Sequence, residues 1–293
     1  MSWINEEGKF GENIYLVDSN LVGTEKSMCC YLIKGEKKTA LIDTPCPSEI
    51  ESFTKKLSTL ELKLDVLIIT HSHWDHSAGI PILQERYPSI EVMVGKSGLR
   101  SLRYNPEFND GFNDFKEIPD LNSIDGLIPV KESDVIDLGR TTLSIVETPG
   151  HTDCSISIFE SRQKVLFIGD AIGNIWTLKF IMPTIMPPEF SEEKLIQTFD
   201  KFETIGYNTL GLAHFGLLTG SIAKEYPAKA KESYIKWRDF FMTAWDEQPD
   251  KEYCSRKFAN ELHLMGFNDS ENKIPFQMFG GWVVEGLKSG ELI

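Results

Sequence analysis

The chain has 293 residues and a mass of 33.3 kDa, enough for one large α/β domain with or without a helical appendage. Hydrophobic residues make up 41% of it and charged residues 25%, an ordinary composition for a globular protein. The net charge of −14 gives a surface that repels polyphosphate backbones, and we find no basic cluster to offset it. Nucleic acids are therefore not expected partners.

The cysteines are five in number, and none of them falls in a CxxC pair. This pattern argues against a disulfide framework and favours a reducing compartment. The first ten residues, MSWINEEGKF, contain neither a basic nor an apolar segment. No stretch of the chain reaches the roughly 20 apolar residues that are needed to span a bilayer. We therefore expect a cytoplasmic protein that does not contact the membrane.

Short apolar runs separated by turn residues open the chain and predict consecutive β-strands at ENIYLVD, SMCCYLIKG and KKTALIDT. Residues 47–60 change to helical periodicity, with Pro47 at an early helix position. The continuous apolar run DVLIIT at 65–70 is typical of a strand that is buried on both faces. A helix at 77–87 and a strand at 90–95 are predicted to follow it.

The middle of the chain changes character at residues 104–126, which are rich in Asn, Asp, Pro, Gly and Phe and predict a long surface loop. Beyond this loop the pattern of the first half returns. Strands are predicted at TTLSIVET, SISIF and KVLFIG, followed by a helix at 191–204 and a strand near 209–213.

Two β-rich halves, each closed by helices, predict an α/β fold in the form of a four-layer αβ/βα sandwich. We place this domain at residues 1–220. From 221 to 293 the periodicity is helical, with turn breaks near 247–250 and 268–275. This part of the sequence predicts a C-terminal helical extension.

Four potential metal ligands stand within six residues directly after the buried strand at 65–70. The segment THSHWDHSAG contains His71, His73, Asp75 and His76, and so holds three of the six histidines of the chain. A loop after a strand can point several side chains at one spot because the strand holds it rigid. Neutral imidazoles and carboxylates are the ligands that zinc takes where no thiolate is offered. A solvated polar loop is the alternative, but it does not explain rare residues in HxHxDH order.

Three further candidate ligands stand at the ends of predicted strands. His151 follows TTLSIVET in the segment TPGH, Asp170 ends KVLFIG, and His214 ends the strand near 209–213. Each alone has a structural explanation, as a turn or core residue with satisfied hydrogen bonds. Their common position at strand ends, beside HxHxDH, favours a shared metal site. The remaining histidine, His263, lies in the helical tail and is expected to be structural.

The ordered set HxHxDH, PGHT, GD and a final histidine after apolar residues resembles the signature of the metallo-β-lactamase superfamily, over roughly residues 12–215. The resemblance implies a metallo-β-lactamase-type sandwich that holds two Zn²⁺ ions, with iron or manganese as alternatives. It implies that His71, His73 and His151 bind the first metal, that Asp75, His76 and His214 bind the second, and that Asp170 bridges them. Asp43, in LIDT, resembles an aspartate that fixes imidazole orientation behind the metals. A strand-end turn residue is the alternative for Asp43.

Some positions separate the chain from individual branches of that superfamily. Asp170 stands where one subclass of periplasmic β-lactamases has a cysteine ligand, and Ser72 stands where the diiron flavoproteins have glutamate. The residues after Asp170, AIGN, lack the tyrosine of the quorum-signal lactonases. The large inserted domain of the RNA-cleaving members is missing as well. The signature therefore predicts the chemistry and leaves the substrate open.

Two cations a few ångströms apart favour hydrolysis, because a hydroxide held between them forms near neutral pH. We expect this hydroxide to attack a scissile carbonyl and Asp75 to act as the catalytic residue that protonates the leaving group. A serine hydrolase is not indicated, since the sequence has no GxSxG segment. The predicted reaction is cleavage of an ester, lactone or thioester bond in a small molecule.

Other functions stay open at this point. Glyoxalase II-like thioesterases share HxHxDH, PGHT and C-terminal helices, although we do not find their glutathione-binding signature in the tail. A mononuclear iron dioxygenase of the same superfamily would use only His71, His151 and Asp170. A binding module that has kept the fold without catalysis is the third alternative. Metal content separates these hypotheses, because they require two zinc ions, one iron ion and no metal.

The helical tail carries an aromatic stripe, Tyr234, Trp237, Phe241 and Trp245, at steps of three and four residues. Such a stripe has to be covered by another surface. The sandwich of the same chain is one cover and a second copy of the chain is the other, so a homodimer is among our expectations.

Residues 172–188, IGNIWTLKFIMPTIMPP, follow Asp170 directly and predict an apolar lid or pocket wall beside the metals. Trp176, Phe180, Met182 and Met186 are the candidate substrate-pocket residues, because they offer an apolar surface that adapts to varied shapes. Ordinary core packing is the alternative. The pocket hypothesis predicts a substrate with an aliphatic or aromatic part.

Overall fold

The computed structural model describes residues 2–60, 62–104, 124–177, 180–269 and 275–293. Within these ranges the chain forms two seven-stranded sheets, a two-stranded hairpin and the helices that flank them. Residues 105–123 of the predicted surface loop lie outside the described residues, and that prediction stays open.

The first sheet is formed by the N-terminal half of the chain. Its strands, in spatial order, are β2 (Gly8–Phe10), β3 (Ile14–Asp18), β4 (Cys29–Lys34), β5 (Thr39–Ile42), β6 (Val66–Ile69), β7 (Glu91–Gly95) and β8 (Leu127–Val130). The strands from β2 to β5 pair antiparallel, and those from β5 to β8 pair parallel. The apolar run at 65–70 thus becomes β6, which is buried throughout, as expected for a strand covered on both faces.

The second sheet is formed by the C-terminal half and one N-terminal strand. Its spatial order is β1 (Trp3–Ile4), β16 (Gly216–Thr219), β15 (Thr209–Leu212), β12 (Val165–Phe167), β11 (Ile156–Glu160), β10 (Thr142–Glu147) and β9 (Val135–Asp137). Only β12 and β15 pair parallel among these strands in the described part of the chain. A separate hairpin joins β13 (Asn174–Thr177) to β14 (Phe180–Met182).

The helices cover the outer faces of the two sheets. They are α1 (Ile50–Thr59), α2 (Trp74–Ser77), α3 (Ile80–Arg86), α4 (Gly98–Tyr104), α5 (Glu192–Phe202), α6 (Ser221–Glu247), α7 (Lys251–Leu264) and α8 (Phe276–Ser289). Phe53 of α1 and Leu83 of α3 pack on the outer face of the first sheet. Phe199 of α5 and Trp237 of α6 belong to the cluster outside the second sheet.

A third apolar cluster lies between the sheets and joins side chains from both. Ile33 and Ile68 of the first sheet share it with Ile145, Ile158 and Phe167 of the second. Burial of this cluster is the main force that holds the sheets face to face. The order helix, sheet, sheet, helix confirms the predicted four-layer αβ/βα sandwich with a C-terminal helical extension.

The aromatic stripe of the helical extension is covered by its own chain. Tyr234, Trp237 and Phe241 are buried, and Trp245 is partly buried against the same cluster. The Trp237 ring lies 5.0 Å from that of Phe258 in α7, in an edge-to-face arrangement. This packing satisfies the stripe within one chain, and the expected homodimer stays a prediction.

The structure differs from the predicted elements in two details. The expected helix at 77–87 begins later, as α3 (Ile80–Arg86), because α2 ends at Ser77 and the chain turns at Ala78 and Gly79 before the first turn of α3, which contains Pro81. The short strands β1, β2, β8, β9 and β16 and the hairpin were not anticipated. Among the described residues no helix combines the length and the apolar character needed to cross a membrane.

Candidate metal centre

The seven residues predicted as metal ligands lie together at one end of the sandwich. His71 and His73 stand in the turn between β6 and α2, and α2 itself carries Asp75 and His76. The other three come from the second sheet, where His151 follows β10, Asp170 follows β12 and His214 lies between β15 and β16. Strand ends of both sheets therefore meet at this site, where six of the seven residues form two groups of three and Asp170 lies beside both.

The first group consists of His71, His73 and His151. The Nδ1 atom of His73 lies 2.9 Å from Nε2 of His71 and 2.9 Å from Nε2 of His151, and the two Nε2 atoms are 3.2 Å apart. These are close to the separation of about 3.3 Å that a tetrahedral zinc ion imposes on nitrogen ligands at about 2.0–2.1 Å. The three imidazoles thus converge on one point.

Each ring of the first group uses its other nitrogen to contact the protein. His73 Nε2 donates to the backbone carbonyl of Pro187 at 3.1 Å, and His151 Nδ1 donates to that of Thr184 at 2.8 Å. His71 Nδ1 lies 3.1 Å from Thr70 Oγ1. A carbonyl oxygen can only accept a hydrogen bond, so in His73 and His151 the proton sits on the outer nitrogen. The inner nitrogen is then unprotonated, and its lone pair faces the point of convergence.

The second group consists of Asp75, His76 and His214, with Asp170 beside it. Asp75 Oδ2 lies 3.6 Å from His76 Nε2 and 3.5 Å from His214 Nε2. Asp170 Oδ1 lies 3.6 Å from His76 Nε2, and its Oδ2 lies 3.4 Å from His214 Nε2. The same Oδ2 is 3.8 Å from His151 Nε2 of the first group. Asp170 therefore stands between the two groups.

Asp43 supports both groups from behind. Its Oδ2 accepts a hydrogen bond from His76 Nδ1 at 2.8 Å and one from the hydroxyl of Thr70 at 2.9 Å. The backbone N–H of Thr70 donates to Oδ1 at 2.8 Å. With its hydroxyl proton directed at Asp43, the Thr70 oxygen is left to accept from His71 Nδ1. One carboxylate thus orients His76 directly and His71 through Thr70. The outer nitrogen of His214 is held separately, by the backbone carbonyl of Ser27 at 3.0 Å.

The pKa values of the histidines are shifted in opposite directions in the two groups. Burial, together with repulsion from neighbouring imidazoles, holds the pKa of His71 well below its usual value and lowers that of His73 to about 3. Burial also lowers the pKa of His151. In the second group burial acts in the same sense, but the nearby carboxylates outweigh it. They raise the pKa of His76 well above its usual value and that of His214 to about 10.

Two features of the site show that its residues fit a pair of metal ions. His76 Nε2 and Asp170 Oδ1 are buried from solvent and have no hydrogen-bond partner. Buried polar atoms without a partner are rare in native proteins, because each costs free energy. In the first group, lone pairs that converge within 3.2 Å repel one another unless a cation lies between them. Imidazole and carboxylate donors suit zinc, iron and manganese.

A cavity of about 390 Å³ opens onto these residues. Asp75, Asp170, His73, His151 and His214 form part of its wall. Of the four predicted pocket residues, Trp176, Met182 and Met186 also line it. Phe180 does not, which corrects its proposed place in the pocket wall. It is buried, and its ring packs 4.9 Å from that of Phe267 and 5.7 Å from that of Trp237.

Several residues at this site were not found from the sequence. Thr70, Thr184, Pro187 and Ser27 all contact ligand imidazoles, but three of them do so through backbone carbonyls, which every residue has. Thr70 and Thr184 also contact these rings through their hydroxyls, and Thr70, which adjoins HxHxDH, is the one whose position in the sequence offered a signal. The cavity wall formed by Phe267, Phe279 and Trp282 of the helical extension was also missed.

Known proteins resemble this chain in sequence and in structure. A family model described as the Metallo-beta-lactamase superfamily matches residues 29–214, a range that includes all seven predicted ligands. The chain is 26% identical over 206 residues to the metallo-beta-lactamase fold-containing protein ST1585 of Sulfurisphaera tokodaii, an alignment that covers 67% of this chain and 76% of the relative. It is 31% identical over 139 residues to a hydroxyacylglutathione hydrolase of Francisella tularensis subsp. novicida, over 47% of this chain and 45% of the hydrolase. The chain thus spans less than half the length of that enzyme.

Solved structures show the same fold. The crystal structure of the archaeal protein ST1585 superposes with a TM-score of 0.61 at 23% identity, covering 75% of this chain and 86% of the other. A metallo-beta-lactamase family protein from Thermus thermophilus, TTHA1429, superposes with a TM-score of 0.67 at 17% identity, covering 95% of this chain and 94% of the other. At these identities the likeness concerns the fold alone.

Proposed function

The chain belongs to the metallo-beta-lactamase superfamily, and on that premise we propose that it is a hydrolase that uses two metal ions to cleave a small ester, lactone or thioester. The preferred metal is zinc, with iron or manganese as alternatives. The observation that carries the proposal is the position of Asp170 between two groups of three ligands each. A single ion would need only one of these groups.

In the proposed reaction the protein holds the metal ions and orients the imidazoles that bind them. When bound, a pair of ions lowers the pKa of a water molecule and polarises a carbonyl oxygen. Asp43, Thr184 and Pro187 keep the imidazoles in the orientation that presents their lone pairs. Such preorganisation removes the cost of rearranging the ligands at the moment of reaction.

Asp75 is our candidate for the proton-handling residue. Its side chain is 16% exposed and lines the cavity, whereas that of His76 is fully buried. Burial opposes its charge, but His76 and His214 lower its pKa below the usual value. Asp75 therefore enters the reaction as a carboxylate. We propose that it receives a proton from the attacking water and passes it to the leaving group.

The substrate is proposed to be a small uncharged or weakly charged molecule with an apolar part. Trp176, Met182 and Met186 in the cavity wall support this view, because they form an apolar surface next to the metal residues. The net charge of −14 is unfavourable for nucleic acids and for anionic membrane surfaces. A cytoplasmic location and a homodimer stay predictions, and sedimentation velocity would determine the oligomeric state.

A glyoxalase II-like thioesterase is the second candidate function. The 31% identity to a hydroxyacylglutathione hydrolase over 139 residues favours it. The mononuclear dioxygenase alternative is less favoured, since it gives no role to Asp75, His76 and His214, which nevertheless converge within 4.8 Å. Both alternatives are distinguished from the leading proposal by the same assay.

The test measures hydrolysis of p-nitrophenyl esters, γ-lactones and S-lactoylglutathione by protein that has been stripped with a chelator and reloaded with zinc. We expect the stripped protein to be inactive and zinc to restore hydrolysis of esters or lactones. Turnover confined to S-lactoylglutathione would favour the thioesterase instead. The hydrolase proposal would be overturned if the zinc-loaded protein hydrolysed none of these compounds and the iron-loaded protein consumed oxygen with a persulfide.

A further inference from the structure

We propose that the C-terminal helical extension determines which substrate is accepted, because its aromatic residues bind a neutral aromatic or aliphatic group of the substrate. The residues are Phe267, Phe279 and Trp282, and we call them, together with Trp176 of β13, the aromatic wall. This inference rests on the proposed hydrolysis and specifies the substrate class for the same site.

The aromatic wall and the metal residues share one cavity. Asp75, Asp170 and His214 line it, as do Phe267, Phe279 and Trp282. Its volume of about 390 Å³ is near the lower end of the roughly 300–1,000 Å³ that is usual for small-molecule pockets. A substrate that brings its scissile bond to the metal residues is therefore small, and the rest of it meets the helical extension.

The rings of the aromatic wall hold one another in place. The ring of Trp176 lies 6.1 Å from that of Phe267 and 6.3 Å from that of Phe279, and the rings of Phe279 and Trp282 are 6.2 Å apart. Aromatic pairs at such distances attract one another. A surface of mutually fixed rings loses little conformational entropy when a ligand binds to it.

Direct contacts fix the helical extension to the segment that leaves Asp170. The hydroxyl of Tyr226 in α6 donates to the carbonyl oxygen of Gly173 at 2.8 Å, and that of Ser233 donates to Ile181 at 2.6 Å. Gly286 of α8 lies so close to the next stretch that a Cβ atom there would be 2.8 Å from the backbone nitrogen of Met186. The distance between the wall and the metal residues is therefore set by the fold.

The charges around the cavity favour a neutral group. Lys26 is the one lysine or arginine among the described residues that line it, and its Nζ pairs with Glu6 at 2.5 Å. A substrate carboxylate or phosphate at the aromatic wall would lose its hydration, and Lys26 would have to leave its pair with Glu6 to compensate. An apolar group gains free energy instead, because it buries apolar surface against the wall. A glutathione moiety, with its two carboxylates, does not suit this surface.

The test compares two esters with one leaving group, p-nitrophenyl acetate and p-nitrophenyl 3-phenylpropanoate, on the zinc-loaded full chain. We expect kcat/KM to favour the phenylpropanoate by about 10- to 100-fold, since each methylene in an apolar pocket is worth about 10-fold or more. The Phe279→Ala variant should lose most of this preference. Phe240→Ala is the matched control, because Phe240 is also a partly buried aromatic residue of the helical extension but does not line the cavity.

A preference that is the same in the wild type and in Phe279→Ala would overturn the inference, as would a higher kcat/KM for S-lactoylglutathione than for the phenylpropanoate. Binding of 3-phenylpropanamide, followed by calorimetry, tests the wall without turnover. We expect Phe279→Ala to weaken this binding by about tenfold relative to Phe240→Ala, and equal affinities would contradict us. If binding follows the prediction while no ester is hydrolysed, the proposed reaction is wrong and the binding site stands.

Discussion

The two ligand groups that meet at Asp170 are built differently. His71, His73 and His151 are buried, and their outer nitrogens face a threonine hydroxyl and two backbone carbonyls. In the second group the side chains of Asp75 and His214 are 16% and 18% exposed, towards the cavity. The first group consists of neutral imidazoles alone, whereas the second combines imidazoles with a carboxylate.

This difference assigns separate tasks to the two groups. The first is more deeply buried and is fixed by the segment 184–187, so it is suited to retaining an ion. The second is more open, and so is suited to meeting a substrate or exchanging its ion. Asp170 couples the groups because its carboxylate reaches histidines of both. Substitutions that alter one group, or the carboxylate that links the two, therefore test this assignment.

The largest effect is expected where the link is removed. Asp170→Ala should abolish ester hydrolysis, because both groups lose a carboxylate oxygen at once. His71→Ala should do the same. The ring of His71 offers ligand atoms within 4.8 Å of those of His73 and His151 and also of those of His76 and Asp170. Both losses of activity should exceed the 10- to 100-fold decrease that is typical when a residue hydrogen-bonded to a metal ligand is removed. Metal content and kcat/KM are measured together, with Asn208→Ala as an exposed control. Turnover near the wild-type rate in Asp170→Ala would refute the bridging role.

A comparison of His73→Ala with His214→Ala separates the two groups. Each substitution removes one of three ligands from one group and leaves the other intact, so each variant should retain about one zinc ion per chain. Residual zinc should resist dialysis better in His214→Ala, because the more deeply buried first group is then the one that is intact. The reverse order of retention would show that exposure does not govern how firmly each group holds its ion.

Removal of the support behind the groups should have a smaller effect. Asp43→Ala leaves all seven ligands but removes the acceptor that orients His76 and, through Thr70, His71. Zinc affinity should fall by about 10- to 100-fold, as is typical for such partners. Thr70→Val affects only the His71 branch and should cost less. Competition with a chromogenic chelator measures both affinities, and an unchanged affinity in Asp43→Ala would make this aspartate a turn residue only.

The smallest effect on the site is expected from a change outside it. In Gly286→Val the added side chain meets the backbone of Met186, next to the segment that holds His73 and His151. Overpacking of this kind costs about 1–3 kcal/mol, so Tm should fall, and the first group should lose zinc more readily than the second. Gly206→Val is the control, because nothing lies within 4 Å of a Cβ atom there. Equal Tm values and equal zinc retention for the two variants would show that the packing of α8 does not influence the first group.

The fold and the metal ligands could be predicted because their signals are local. β6 was evident from an unbroken apolar run, and His71, His73, Asp75 and His76 follow it within six residues. β1 and β2 gave no such signal, because strands of two and three residues owe their conformation to the partners with which they pair. The same holds for the carbonyl groups that orient the histidines, whose positions depend on contacts between distant parts of the chain.

The pocket was predicted less well for a related reason. In the run from 172 to 188 most side chains are apolar, and the few polar ones do not alternate with them, so the sequence does not show which ones face the cavity. Trp176 lines the cavity and Phe180, four residues later, is buried among other rings. The aromatic wall combines this hairpin with a helix about 100 residues further along the chain, and only the tertiary structure joins them.

The number of metal ions per chain tests the account most directly. Purified protein that has been stripped, reloaded with zinc and desalted is analysed by inductively coupled plasma mass spectrometry, while its ester hydrolysis is followed in parallel. We predict two zinc ions per chain, with hydrolysis reaching its maximum only when the second ion is bound. One ion per chain at full activity, or a chain that retains no metal at all, would contradict the two-ion centre on which the proposed function rests.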